Sequence, residues 1–131
     1  MGATAKLGSE GLRTEVEAGG HRWVSDEPAA LGGTNAGPTP FDLLYGALAS
    51  CVAITVGMYA QRKGWGLEGV EVEVQGARSG VGPLEGALVK VRFAGALDGA
   101  QLERLTEIAG RCPVHRTLER EVEIRTELVS G

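Results

Sequence analysis

Cysteine and lysine are among the scarce residues of this chain. Two cysteines in 131 residues are too few to staple a small secreted scaffold. The stretch from Met1 to Glu10 has no apolar run of the kind a signal peptide carries, so a cytoplasmic chain is expected. Three lysines and ten arginines stand scattered among seventeen acids, for a formal net charge of -4. No basic stripe results. Neither nucleic acid nor an anionic membrane is expected as a partner, because both are bound through clustered positive charge. Repeats and low-complexity tracts are also missing. What is there, 43% hydrophobic and 23% charged residues, is the composition of a soluble globular protein. The length suits a single domain over residues 1–131 with one core.

Thr4 to Leu7, Leu12 to Ala18 and His21 to Ser25 read as strands, the last two joined by Gly19-Gly20, a pair suited to a tight hairpin. Residues 26–39 hold Pro28, Gly32, Gly33, Asn35, Gly37 and Pro38, too many breakers for a regular element. Thr39, Pro40 and Asp42 then mark a helix start: Thr39 caps, Pro40 suits the first turn, and Asp42 completes a capping box. That helix is expected through about Lys63, closed by Gly64. Strands resume at Leu67 to Ala77, where Val70, Val72 and Val74 alternate with Glu71, Glu73 and Gln75, and at Ala87 to Phe93. Asp98 caps a second helix to about Gly110, with Leu102, Leu105, Ile108 and Ala109 in one stripe. Pro113 opens a short third helix to about Leu118, and Val122 to Val129 reads as a closing strand. Strands and helices do not alternate as a parallel sheet requires, so the class is α+β.

Leu43 to Ala60 is eighteen residues without a charge, close to the lower limit for spanning a bilayer. Gly46, Ser50, Thr55 and Gly57 dilute the run, and the amphipathic strands need this helix for their core, so a buried helix is the better reading. A helix apolar on all sides must be covered on all sides. So few other elements cover chiefly one side, and an obligate homodimer is expected, with this helix near its interface.

Cys51 falls mid-helix on the line Leu44, Ala47, Leu48, Cys51, Thr55, Met58, which predicts a buried or narrowly accessible thiol. Such a cysteine is commonly a small core hydrophobe, and desolvation raises its pKa. Cys112 sits in Cys112-Pro113-Val114-His115, at the N-cap of a helix, where free backbone N–H groups and the dipole favour a thiolate. Arg111, His115 and Arg116 are nearby basic groups. Composition and spacing alone leave both cysteines open to a purely structural role. A zinc site from Cys51, Cys112, His115 and His21 would satisfy ligand chemistry, but the spacing matches no recognised motif, and no metal is expected.

Gly37-Pro38-Thr39-Pro40-Phe41-Asp42-Leu43-Leu44 leading seven residues later to Cys51, then Arg111-Cys112-Pro113-Val114 ahead of the last strand, resembles the OsmC/Ohr family. That family includes osmotically inducible protein C and the organic hydroperoxide resistance protein. The resemblance runs from about His21 to Leu128. It implies antiparallel sheets wrapped around a long central apolar helix in an intertwined homodimer, and an oxidative-stress role. It also implies a peroxidase in which Cys51 attacks a small organic hydroperoxide or hydrogen peroxide, and Cys112 resolves the sulfenic acid as a disulfide. A dithiol, with a lipoylated protein the suggested donor in the organic hydroperoxide branch, would reduce the pair again, with no metal or other cofactor. In the best-characterised branches a glutamate follows the proline, ten positions before the first cysteine, and pairs with an arginine that stabilises the thiolate. Phe41 stands there in this chain, and Asp42 is the nearest acid. Arg13, Arg22, His115 and Asp42 are the candidate thiolate-stabilising residues. A redox sensor or small-ligand-binding protein on the same fold is the alternative.

Overall fold

A computed structural model describes residues 1–129 of the chain. It divides into two compact units, Met1–Gly46 and the chain from Ala47 onward.

The first unit is built on a three-stranded antiparallel sheet of β1 (Ala3–Leu7), β2 (Thr14–Ala18) and β3 (His21–Ser25) in that order. Gly19 and Gly20 join β2 to β3 with φ of 59° and 80°, the left-handed pair that matches the twist of a two-residue hairpin. Ser25, the last residue of β3, and Asp26 just after it are buried. The Asp26 carboxylate holds the following loop. It accepts hydrogen bonds from Glu27 N (2.8 Å), Thr34 N (3.1 Å), Thr34 Oγ1 (2.8 Å) and Ala36 N (3.1 Å). The loop lies so close that a Cβ on Gly33 would meet Glu27 O at 1.9 Å, and one on Gly37 would meet Val24 O at 2.0 Å. The glycines are therefore demanded by close approach, not by flexibility.

The helix α1 spans Pro40–Lys63. Its capping box is formed as the spacing predicts: Asp42 N donates to Thr39 Oγ1 at 3.1 Å and Thr39 N donates to Asp42 Oδ2 at 3.0 Å. Gly64, at φ 66°, ends it. The helix is long and apolar enough to cross a membrane, but Leu48, Val52, Val56 and Ala60 form a buried stripe of the kind a core helix carries.

In the second unit, β4 (Gly66–Arg78) and β5 (Leu84–Ala96) pair antiparallel. Val70, Val72, Val74, Val89, Val91 and Phe93 pack against the core formed by the α1 stripe, Leu105, Ala109 and Cys112. The opposite face carries pairs such as Glu71–Arg92 (3.5 Å), so the expected division into a buried and a wet face is present. A bulge near the sheet's end is set by Gly95, at φ 126°, where a Cβ would lie 2.0 Å from Gly66 O. The helix α2 (Gly99–Ala109) starts from Asp98, whose capping box is completed by Gln101, and α3 (Pro113–Leu118) starts from Cys112.

Three expectations are corrected. Val122 to Val129 forms no strand among the described residues, and Val122, Ile124, Leu128 and Val129 are all exposed. Alternation reports which face a strand would bury; it does not supply an edge to pair with. The buried line of α1 is Leu48, Val52, Val56 and Ala60, not the one through Thr55 and Met58, and Met58 is 58% exposed. Leu102 is likewise exposed, while Leu105, Ile108 and Ala109 carry the buried face of α2.

Candidate active site

Cys51 and Cys112, sixty-one positions apart, come together in the second unit. Cys51 projects from the middle of α1, half-buried, and packs against the core. Cys112 is fully buried at the start of α3. Both are free thiols. Pro113 fixes the first helical turn, and His115 N donates to Cys112 Sγ at 3.2 Å, so the sulfur itself acts as the cap.

Burial pushes the Cys112 thiol above its ordinary value. The N–H of His115, and more weakly that of Val114, pull it back, while hydrogen bonding and charge from Cys51 push it further up. Burial and the neighbouring Cys51 thus both favour the neutral thiol at Cys112. The expectation of a cap-stabilised thiolate at Cys112 is corrected in direction: the cap contributes as expected, but desolvation outweighs it.

His115 contributes to Cys112 through its backbone. Its imidazole Nε2 is paired with Glu119, one turn along. Asp42 is occupied in the capping box with Thr39. Arg13 pairs with Glu15 at 3.5 Å and Arg22 with Glu17 at 3.2 Å, all exposed on the first unit. Among the described residues no group of three or more His, Cys, Asp or Glu side chains is placed to hold a metal ion.

The same unit holds a cavity of about 280 Å³ whose lining contains neither cysteine. Leu48, Leu84, Val89 and Leu118 give it apolar walls, and Glu85, His115 and Glu119 are its polar lining. Leu48 lies one helical turn before Cys51, on the same face, and His115 is the residue whose N–H holds Cys112.

Sequence reasoning passed over a second polar cluster in this unit. Arg104 Nε donates to the Tyr59 hydroxyl at 3.0 Å, and its Nη1 meets Glu107 Oε2 at 2.8 Å. Trp65 stands edge-on to the Tyr59 ring at 5.6 Å between centroids, and Lys63 Nζ lies 5.7 Å from the ring centre. The Arg104 hydrogen bond, with the charges of Arg104, Lys63 and Arg111, draws the Tyr59 phenol below its usual value against the opposing effect of burial. The Arg104–Glu107 spacing was visible as a helical i, i+3 pair, but nothing local pointed forty-five residues back to Tyr59.

An α+β chain of antiparallel sheets and one long apolar helix, with two thiols brought together, defines a class of dithiol protein. The family model described as OsmC-like protein matches residues 33–127, and the chain belongs to that family. Solved structures agree on the fold. An OsmC-like protein from Mycoplasma pneumoniae superposes with a TM-score of 0.76 at 21% identity, covering 90% of this chain and 86% of that one. An organic hydroperoxide resistance protein OsmC from Legionella pneumophila gives a TM-score of 0.65 at 22% identity, covering 88% and 86%. An OsmC-like hydroperoxide resistance protein from a Jannaschia species gives 0.59 at 20%, covering 98% and 91%. No curated protein is significantly similar in sequence.

Proposed function

We propose that this protein is a thiol peroxidase that reduces organic hydroperoxides or hydrogen peroxide. The observation that carries the reading is the packing of a half-buried Cys51 against the core cluster that contains the buried Cys112. The Cys51 thiolate attacks the distal peroxide oxygen, the O–O bond breaks, and the leaving alkoxide takes a proton to become an alcohol. Cys51 is left as a sulfenic acid. The Cys112 sulfur then displaces the sulfenic hydroxyl, which leaves as water with the Cys112 proton, and a disulfide forms. A dithiol such as a dihydrolipoyl group restores both thiols and is itself oxidised to the cyclic disulfide. Burial of Cys112 suits the second step, because a protonated thiol next to the sulfenic acid can supply the proton that the departing hydroxyl needs.

Hydroperoxide resistance is what the Legionella and Jannaschia relatives are named for, which supports the same chemistry. The protein is further proposed to act as a cytoplasmic homodimer. Consumption of cumene hydroperoxide with a dithiol reductant tests the function. Wild type is expected to turn over and Cys51→Ser to fall to background, and equal rates in the two would end the reading. Cys112→Ser is expected to react about once per chain and then accumulate sulfinic or sulfonic Cys51, detected by intact mass. A single oxidation in wild type without recycling by any dithiol would instead favour a redox sensor.

A further inference from the structure

We propose that Glu119 is a positioning residue for the disulfide step: by pairing with the His115 imidazole it fixes the first turn of α3, and so holds the Cys112 sulfur for attack on oxidised Cys51. This rests on the reading of Cys51 as the thiol that meets the peroxide. In that step the Cys112 sulfur bonds to the Cys51 sulfur, the S–OH bond of the sulfenic acid breaks, and the hydroxyl leaves as water with the Cys112 proton.

The connection runs through direct contacts. His115 stands between the two residues: its N–H donates to Cys112 Sγ at 3.2 Å, and its Nε2 is paired with Glu119. Glu119 N in turn donates to His115 O at 3.2 Å, and Arg116 N to Cys112 O at 3.1 Å. The helix is six residues long and has no buried residue of its own, a length at which backbone hydrogen bonds alone do not hold a helix together. Its ties to the core cluster are Cys112 before it and half-buried Val114 within it. So narrow an anchorage leaves the conformation of the turn to its cap and its side-chain pair. The imidazole of that pair is 31% exposed, whereas both side chains of Arg13–Glu15, Arg22–Glu17 and Arg92–Glu71 are more than half exposed, so water screens it less. The His115 N–H also faces the negative charge that grows on sulfur as the Cys112 proton leaves. Cys112 is fully buried, so solvent does not replace that donor.

A single-turnover experiment tests this. Reduced protein is mixed with one equivalent of cumene hydroperoxide and quenched at intervals, and Cys51 sulfenic acid, trapped with dimedone, and the disulfide are counted by mass. The ratio of the disulfide rate to the sulfenic rate is expected to fall about threefold in Glu119→Ala and in His115→Ala. The double variant is expected to be no slower than the worse single one, because the two residues act as a unit. Glu119→Gln, which keeps an oxygen acceptor for Nε2–H, is expected to recover part of the loss. An unchanged ratio in Glu119→Ala, or losses that add in the double variant, overturns the proposal. If peroxide oxidises Cys51 in no protein, the peroxidase reading ends and diamide decides this one. Cys51 then adds across the N=N bond, and Cys112 displaces the hydrazine to form the disulfide. The same slowing in Glu119→Ala supports the role of Glu119, and equal rates, or no disulfide in any protein, overturn it.

Discussion

At the scale of single residues, the two buried ionisable groups among the described residues, Asp26 and Cys112, are governed by opposite balances. Cys112 loses more to desolvation than its N–H donors return, and keeps its proton. Asp26 is 2% exposed, yet the amide of Ala36, the hydroxyl of Thr34 and the amide of Glu27 lower its pKa from 3.8 to about 2 against the effect of burial. A carboxyl depressed on folding stabilises the native state above its unfolded pKa, and that contribution fades as pH falls through the folded value. Asp26→Asn should therefore lower Tm by several degrees at neutral pH, because an amide in place of Oδ2 would face the donors of Thr34 and Ala36 with a donor of its own. The difference from wild type should shrink between about pH 4 and about pH 2. A difference that is constant across that range, measured by thermal melts, would show that the carboxylate charge is not what holds the loop. The capping residues Thr39, Asp42 and Cys112 were legible in the sequence, because a cap is a contact within three positions. Asp26 was not, because its partners are backbone amides of an irregular loop whose path only Gly33 and Gly37 hint at.

At the scale of elements, the legibility of each segment follows from how much of its structure is local. Hairpin glycines, capping boxes, the valine alternation of β4 and the length of α1 are all written over short spans, and they were readable to within a few residues. The phase of α1 was not. A helix apolar all round has no polar side to mark its solvent face, so the burial of the Leu48–Ala60 stripe is decided by where the strand valines and Leu105 pack against it. The helix α2 is more polar, and its phase is sharper. Leu105 is fully buried, and Leu102, three residues earlier, is exposed. Leu105→Ala is accordingly expected to cost about 2–5 kcal/mol through lost burial and the cavity left behind. Leu102→Ala should cost less than about 1 kcal/mol. Urea denaturation with unchanged m-value would measure both, and similar costs at the two positions would mean that the packing face of α2 is misassigned.

At the scale of the whole molecule, the apolar surface left open is the strongest argument for a second copy. Ile54 and Met58 stand 61% and 58% exposed on α1, a helix whose unburied side offers no charge to water between Leu43 and Ala60. Val122, Ile124 and Leu128 alternate along the chain after α3, exposed and without a ladder. The first surface is what a helix core lacks when one side is uncovered, and the second is a strand pattern without an edge to pair with. A homodimer would cover both. It would also explain why the expected closing strand is unformed in a single chain: its pairing partner would be supplied by the other copy. Sedimentation equilibrium should give twice the 13.6 kDa chain mass. Ile54→Glu/Met58→Glu places two charges on the open face of α1 without touching the buried stripe, and is expected to shift the protein toward monomer with a concentration-dependent Tm in wild type that the variant loses. A wild-type particle of chain mass at micromolar concentration would remove the dimer. It would then require these apolar residues to be tolerated in water for some other reason, such as a bound apolar ligand that co-purifies with the chain.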